Sequence, residues 1–345
     1  MKRLIDKLYK DGALERNEYI ELLKNYNGET ALYSRELANT IRKEIFGNKI
    51  YIRGLIEVSS YCKRDCLYCG IRKSNTCAQR YRLTQEEILK CCTLGYELGF
   101  RSFVLQGGED MYFTQDRVTE IIKQIKKDFS DCAVTLSLGE RNREEYKQWF
   151  DAGADRYLLR HETADSIHYS KLHPKNTTLE SRMECLENLK EIGYQTGCGF
   201  MVGSPFQSEE TLAKDLEFIQ SFKPHMVGIG PFIPQKNTPF GDREQGSLEL
   251  TLFLLSLVRI MLKNVLLPST TALGTIAPNG RELGILSGAN VVMPNLSPLE
   301  VRKKYCLYDG KISTDEEAAE GKEKLNEKMK KIGCELYVGR GDWKE

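Results

Sequence analysis

The chain has 345 residues, a formal net charge of +1 and a hydrophobic fraction of 41%. That length suits one large α/β domain or two small ones, and the apolar fraction supports a sizeable core, which argues against global disorder. No basic stripe is evident, and the most apolar run, residues 252–258, is closed by Arg259 and far too short to span a bilayer, so neither a nucleic-acid binder nor a membrane protein is expected.

Residues 1–46 read as helices, because Leu4, Leu8, Tyr9, Ile20, Leu22 and Leu23 recur at helical spacing and 30–45 continue the pattern. We expect an N-terminal helical cap over 1–48 that carries no chemistry. From residue 50 strands alternate with helices. A strand over 50–59 runs into a cysteine-rich loop. Thr84 then opens a helix, with Glu87 completing a capping box, that runs to about residue 99. The next strand, 102–106, ends in Gly107-Gly108-Glu109-Asp110, and a helix over 115–129 follows. Strand three, 133–138, ends at Gly139-Glu140. A helix over 143–152 leads to strand four, 156–163. The rhythm repeats: helix 178–192, strand 195–202, helix 208–222, strand 226–232, helix 248–262, strand 265–271, helix 281–286, strand 289–293.

Eight such units predict a closed (β/α)8 barrel of the TIM type over 49–296, parallel because each crossover is right-handed. Its active-site face is the C-terminal end of the strands. Residues 297–345 form a C-terminal extension: Tyr305 and Tyr308 precede Gly310, a charged helix is expected over 314–331, and the tail 339–343 reads as loop.

The loop after the first strand is Cys62-Lys63-Arg64-Asp65-Cys66-Leu67-Tyr68-Cys69. Three thiolates on one short loop can hold three corners of a four-iron, four-sulfur cube. The remaining iron then lacks a protein ligand and can bind the amino and carboxylate end of S-adenosylmethionine (SAM). The spacing C-x3-C-x2-C, with aromatic Tyr68 before the last cysteine, is the radical-SAM signature. A structural zinc site usually draws on paired C-x2-C units, and only one is present here; Cys77 would have to serve as the fourth ligand. A disulfide framework is not expected in a long chain in which we read neither a secretory leader nor a lipidation motif. Eleven cysteines, an odd number, point instead to a reducing compartment, and the expectation is a cytoplasmic, oxygen-sensitive protein.

Other strand ends carry weaker signals. Gly107 and Gly108 let a ligand approach the backbone, and nearby carbonyls with Glu109 could receive an ammonium, although the same residues suit an ordinary βα turn. Ser137 and Glu140 close strand three, and Arg160 and Glu162 close strand four. Charges at such places face solvent or a polar cavity, where Arg suits a carboxylate and Glu suits ribose hydroxyls; a mutual salt bridge is the alternative. Arg182, in the following helix, reads by itself as a surface charge. Thr270, Thr271 and Thr275 on the rim could hold a small anion, but threonine is also a good strand residue. His161, His168, His173 and His225 show no metal spacing, and most other cysteines read as small buried apolar residues.

Assembled, these residues resemble the radical-SAM maturases of FeFe-hydrogenase (the HydE family), in the group that includes biotin synthase and methylornithine synthase. The resemblance covers about residues 30–312. It rests on the cysteine loop, Arg80-Tyr81-Arg82, the stretches 105–110, 135–140, 157–163 and 226–234, and Gly288 through Asn295. It implies that Cys62, Cys66 and Cys69 ligate the cluster, and that SAM binds beside Tyr68 and the Gly107-Gly108-Glu109 turn and contacts Ser137, Glu162 and Arg182. It implies a substrate or anion site at Gln106, Arg160, Thr270, Thr271, Met293, Tyr305 and Tyr308. It further implies reductive cleavage of SAM to methionine and a 5′-deoxyadenosyl radical, a small-molecule or iron-complex substrate, a reductant such as a ferredoxin or flavodoxin, and other hydrogenase maturation proteins as partners. Some members carry a second cluster on C-terminal cysteines. Residues 311–320 contain none, so one cluster is expected. Rival expectations are a radical mutase or sulfur-inserting enzyme of the methylornithine or biotin synthase type, and an iron–sulfur sensor or electron carrier. A carrier usually ligates every iron with protein, against which the three-cysteine loop argues.

Overall fold

The computed structural model describes residues 1–312, 315 and 317–345. The helices α1 (Lys2–Asp11), α2 (Arg16–Asn25) and α3 (Gly28–Phe46) come first, then strands β1 (Lys49–Ile52) and β2 (Gly54–Ser59). The alternation proceeds through α4 (Gln85–Glu97), β3 (Ser102–Gly107), α5 (Gln115–Asp128), β4 (Ala133–Ser137), α6 (Arg143–Asp151) and β5 (Arg156–Leu158). Two helices, α7 (Ser166–Leu172) and α8 (Leu179–Ile192), precede β6 (Gln195–Cys198) and β7 (Met201–Val202). Then come α9 (Glu209–Phe222), β8 (Met226–Val227), β9 (Gly230–Pro231), α10 (Leu248–Met261), α11 (Thr271–Ile276), α12 (Gly280–Leu286) and β10 (Val291–Val292). The extension holds α13 (Leu299–Arg302), α14 (Ala318–Lys331) and β11 (Glu335–Tyr337). The start expected for the last helix, Thr314, lies outside the described residues.

Local sequence explains most helix starts. The Thr84 and Glu87 capping box opens α4, and Asn142 with Glu145 does the same for α6. Asn27, Thr114, Thr178 and Ser247 accept hydrogen bonds from backbone N–H groups that the helix itself leaves unpaired. Helix α10 is buried along residues 251–261 because it is apolar on every face; it packs under α3, and Phe253 stacks on Tyr26 at 4.6 Å.

Among the described residues the regular sheet is α/β in character and six-stranded, all parallel, in the order β2-β3-β4-β5-β6-β8. The seventh and eighth expected strands take a different form. Residues 265–271 make only single bridges, Met226 to Leu266 and Pro268 to Val291. The eighth shrinks to β10, which pairs with β1. Pro268 lacks an N–H for a ladder, and Thr270, the last extended residue, caps α11, which takes over at Thr271.

One apolar core joins Leu4, Ile5 and Leu8 of α1 to Leu325 and Met329 of α14. The C-terminal tail, expected as loop, follows β11, which pairs with β1, and seals the end of the sheet opposite the cysteines. The fully buried guanidinium of Arg156 donates to the Arg340 carbonyl at 2.7 Å and to the Asp342 carboxylate. Asp342→Ala is expected to cost about 2 kcal/mol, because it removes the carboxylate from a buried cation while its own half-exposure moderates the loss. A urea midpoint equal to wild type would show that the tail is not a structural plug. Among the described residues, no helix is long and apolar enough to cross a membrane.

Candidate active site

The cysteine loop leaves β2 and turns over the C-terminal ends of the strands, where Cys62, Cys66 and Cys69 line a cavity of about 350 Å³. Backbone hydrogen bonds of 2.9 Å hold the loop at three points: Lys63 N to Glu109 O, Leu67 N to Leu172 O, and Gly70 N to Leu307 O. Arg80 donates to the carbonyls of Ile71 at 2.8 Å and Arg72 at 2.7 Å, while Arg72 pairs with Asp65 at 2.6 Å. The loop is therefore shaped by the protein. Gly108 presses against it so closely that a Cβ there would meet Tyr61 O at 2.2 Å.

Burial pushes the Cys66 thiol up to about 12 and raises Cys62 and Cys69 as well. After burial, Cys62 adds to the upward push on Cys66, and both Cys66 and Cys62 add to that on Cys69. Such a set becomes thiolate only beside a cation, which is what bound iron provides. The donor chemistry of these residues fits a cluster, while among the described residues no three ligating side chains are drawn together closely enough to hold a metal ion.

Beside the thiols stands a box of opposite charges. Arg64 reaches from within the cysteine loop to Glu109 at 2.6 Å and Glu140 at 2.7 Å. Arg182 meets Glu140 at 2.5 Å and donates to Arg160 O at 2.9 Å. Glu140 N donates to Glu109 Oε1 at 3.1 Å. The surface reading of Arg182 is thus overturned: α8 turns it inward, to 8% exposure. Burial works against its charge, but Tyr169, Glu140 and Glu109 together hold the guanidinium well above its ordinary value.

The residues that the resemblance assigns to SAM and substrate line this one cavity: Tyr68, Gly107, Gly108, Glu109, Ser137, Glu162 and Arg182, with Gln106, Arg160, Thr270, Thr271, Met293, Tyr305 and Tyr308, whereas Thr275 and Glu140 are not among its lining residues. Arg160 Nη2 lies 3.0 Å from Glu162 Oε2, yet neither atom makes an aligned hydrogen bond among the described residues. These buried polar atoms lack good partners beside the thiols, as a site for a polar ligand requires. Gln106 Nε2 donates to the Tyr305 hydroxyl at 3.3 Å. The four histidines keep structural partners: His173 faces the Tyr68 hydroxyl at 3.2 Å and His225 accepts from Thr196 N at 3.0 Å. His168 sits between Thr163 and Pro205, and His161 accepts from Gly199 N.

Sequence reasoning missed Arg64, Glu57, Asn295 and Lys311, which also line the cavity. Glu57 is 1% exposed, takes Asn295 Nδ2 at 3.0 Å and is bonded to Lys311 Nζ. Its signal was available: a lone carboxylate in an otherwise apolar strand must face a partner or a cavity. Nothing local pointed to Lys311, which arrives from the C-terminal extension.

Residues 56–219 match the family model of the radical SAM superfamily. The chain is 48% identical over 306 residues to the [FeFe] hydrogenase maturase subunit HydE of Thermotoga maritima, covering 87% of this chain and 86% of that protein. It is 30% identical over 309 residues to 3-methylornithine synthase of Methanosarcina barkeri, covering 88% and 86%. The crystal structure of methylornithine synthase (PylB) superposes with a TM-score of 0.83 at 26% identity, covering 97% of each chain. The family implies a 4Fe–4S cluster and SAM, and the cavity geometry is consistent with both: the chain is a radical SAM enzyme and belongs to the family of HydE.

Proposed function

We propose that this protein cleaves SAM reductively in the maturation of the FeFe-hydrogenase active site. The observation that carries this reading is that all the residues matched to HydE-type roles line one cavity with the three cysteines. In this reading Cys62, Cys66 and Cys69 hold a single 4Fe–4S cluster. The chemistry that cluster and SAM supply when bound is one-electron cleavage of the SAM sulfonium bond. The chain's own groups orient and shield. Glu109 and the Gly107–Gly108 backbone accept the SAM ammonium, Arg182 meets its carboxylate, and Ser137 and Glu162 hold its hydroxyls.

The opposite wall takes the substrate, a small molecule or iron complex. Arg160 and Thr270 to Thr271 bind its anionic groups, while Gln106, Met293, Tyr305 and Tyr308 close the cavity and keep water from the reacting atoms. Residues 49–296 form the catalytic unit, read as a barrel closed by the bridges at Leu266 and Val291, with the helical cap and C-terminal extension flanking it. The partners are a ferredoxin- or flavodoxin-type reductant and other maturation proteins, in a reducing, cytoplasmic setting.

The test is anaerobic maturation of apo FeFe-hydrogenase with every other assembly factor present. Hydrogen production should depend on this protein. Equal maturation without it would move the assignment to an amino-acid mutase or sulfur-inserting enzyme, the reading favoured by the fold's likeness to methylornithine synthase.

A further inference from the structure

Glu162 is buried and has a left-handed backbone, with φ of 66°. That conformation is uncommon for a residue with a side chain and persists only where the surroundings over-determine it. Here they do. Glu162 N donates to Gly199 O at 3.0 Å. Gly199 in turn donates its N–H to His161 Nδ1 at 3.2 Å, and a Cβ on Gly199 would meet Gly228 O at 2.0 Å. On the other side Ala164 N donates to Asp215 Oδ1 at 2.5 Å. The same oxygen lies 3.3 Å from His161 Nε2, without a hydrogen bond between them. Thr163, between them, bonds to His168 Nδ1 at 3.1 Å and accepts from Asp165 N at 3.2 Å.

Asp215 comes from α9, far from the strand in sequence, and it and His161 are both fully buried. An unpaired buried carboxylate is costly, and replacing the pair by apolar groups of similar size would often be neutral or stabilising. Oδ1 of Asp215 accepts from the Ala164 amide on one flank of the strained turn and lies against the His161 ring on the other. Burial drives His161 down to about 3, so the imidazole is neutral, and because Nδ1 accepts from Gly199 the proton sits on Nε2, toward Asp215.

We infer that Asp215 and His161 are positioning residues for SAM binding: they hold the 161–164 turn in the left-handed form that points the Glu162 carboxylate into the cavity. The inference rests on Glu162 meeting SAM, as proposed above.

The experiment uses the anaerobically reconstituted protein and SAM itself. Asp215→Ala is expected to raise the SAM dissociation constant about tenfold, while Asp215→Asn, whose Oδ1 still accepts at the same place, stays within about twofold of wild type. Iron content and far-ultraviolet circular dichroism should be unchanged in both, and the loss in Asp215→Ala should appear in KM for SAM more than in kcat. Unchanged SAM affinity in Asp215→Ala overturns the inference, and so does an Asp215→Asn variant as weak as Asp215→Ala, since the carboxyl group's ionisation or its second oxygen, not acceptance at Oδ1, would then be responsible. Should Asp215→Ala not fold, Asp215→Ser, too short to reach the Ala164 amide, carries the same expectations. Glu162→Gln separates the two readings. If it leaves SAM affinity unchanged, the SAM role of Glu162 fails. If it weakens SAM binding and Asp215→Ala does not, only the positioning role fails.

Discussion

Cys66→Ala is expected to abolish SAM cleavage while leaving the fold intact. Anaerobically reconstituted wild type should hold about four irons per chain, since one cube is expected. The variant removes one corner of a donor set whose other two members sit on the same loop. That loop keeps its shape through Leu67 N to Leu172 O, Gly70 N to Leu307 O and the Arg80 contacts, none of which uses the Cys66 sulfur. The protein should therefore remain folded by circular dichroism and lose the visible absorbance of the cluster. Methionine and 5′-deoxyadenosine formation should fall to background. Cleavage at the wild-type rate in this variant would remove Cys66 from the cluster, and about eight irons in the wild type would overturn the single-cluster expectation.

Arg182→Ala is expected to have the second-largest effect, on both binding and stability. Its guanidinium is buried and answers Glu140 at 2.5 Å, with Glu109 Oε1 at 4.0 Å. Without it the two buried carboxylates keep Arg64 as their shared cationic partner, with Lys63 Nζ 3.8 Å from Glu109 alone. Breaking a buried pair from one side costs about 3 kcal/mol or more. SAM affinity should fall at least about tenfold if the same guanidinium also meets the SAM carboxylate. Arg182→Lys should recover much of the stability and less of the affinity, because an ammonium lacks the planar fork. Denaturant unfolding and SAM titration on the two variants separate the effects. A folded Arg182→Ala variant with wild-type SAM affinity would confine Arg182 to holding Glu140.

The same contrast explains what could be read from the chain directly. Signals that act over a few residues were legible. The cysteine spacing, the Thr84–Glu87 capping box, the apolar strand runs and the polar residues at their ends are all local, and the resemblance of motifs added Arg182 and further lining residues such as Tyr305 and Tyr308. Contacts assembled from distant segments were not. Glu57 declared a buried carboxylate, but its partner Lys311 comes from the C-terminal extension. Arg64 lay in plain view between two cysteines, yet its purpose depends on Glu109 and Glu140 from two other strand ends. The two last barrel strands were expected at full length, because Pro268 and the capping role of Thr270 outweigh a β-rich composition only once their neighbours are in place.

By itself the sequence determined that this protein carries a three-cysteine loop over an alternating α/β frame. Loop spacing and hydrophobic period are encoded within single segments and survive without knowledge of the rest. Tertiary structure alone decided which charges are buried. It turned Arg182 inward on α8, set Asp215 of α9 beneath the strained Glu162 turn, and brought the tail to cover Arg156. Burial decides the electrostatic weight of each of these groups, and burial is a property of the packed chain.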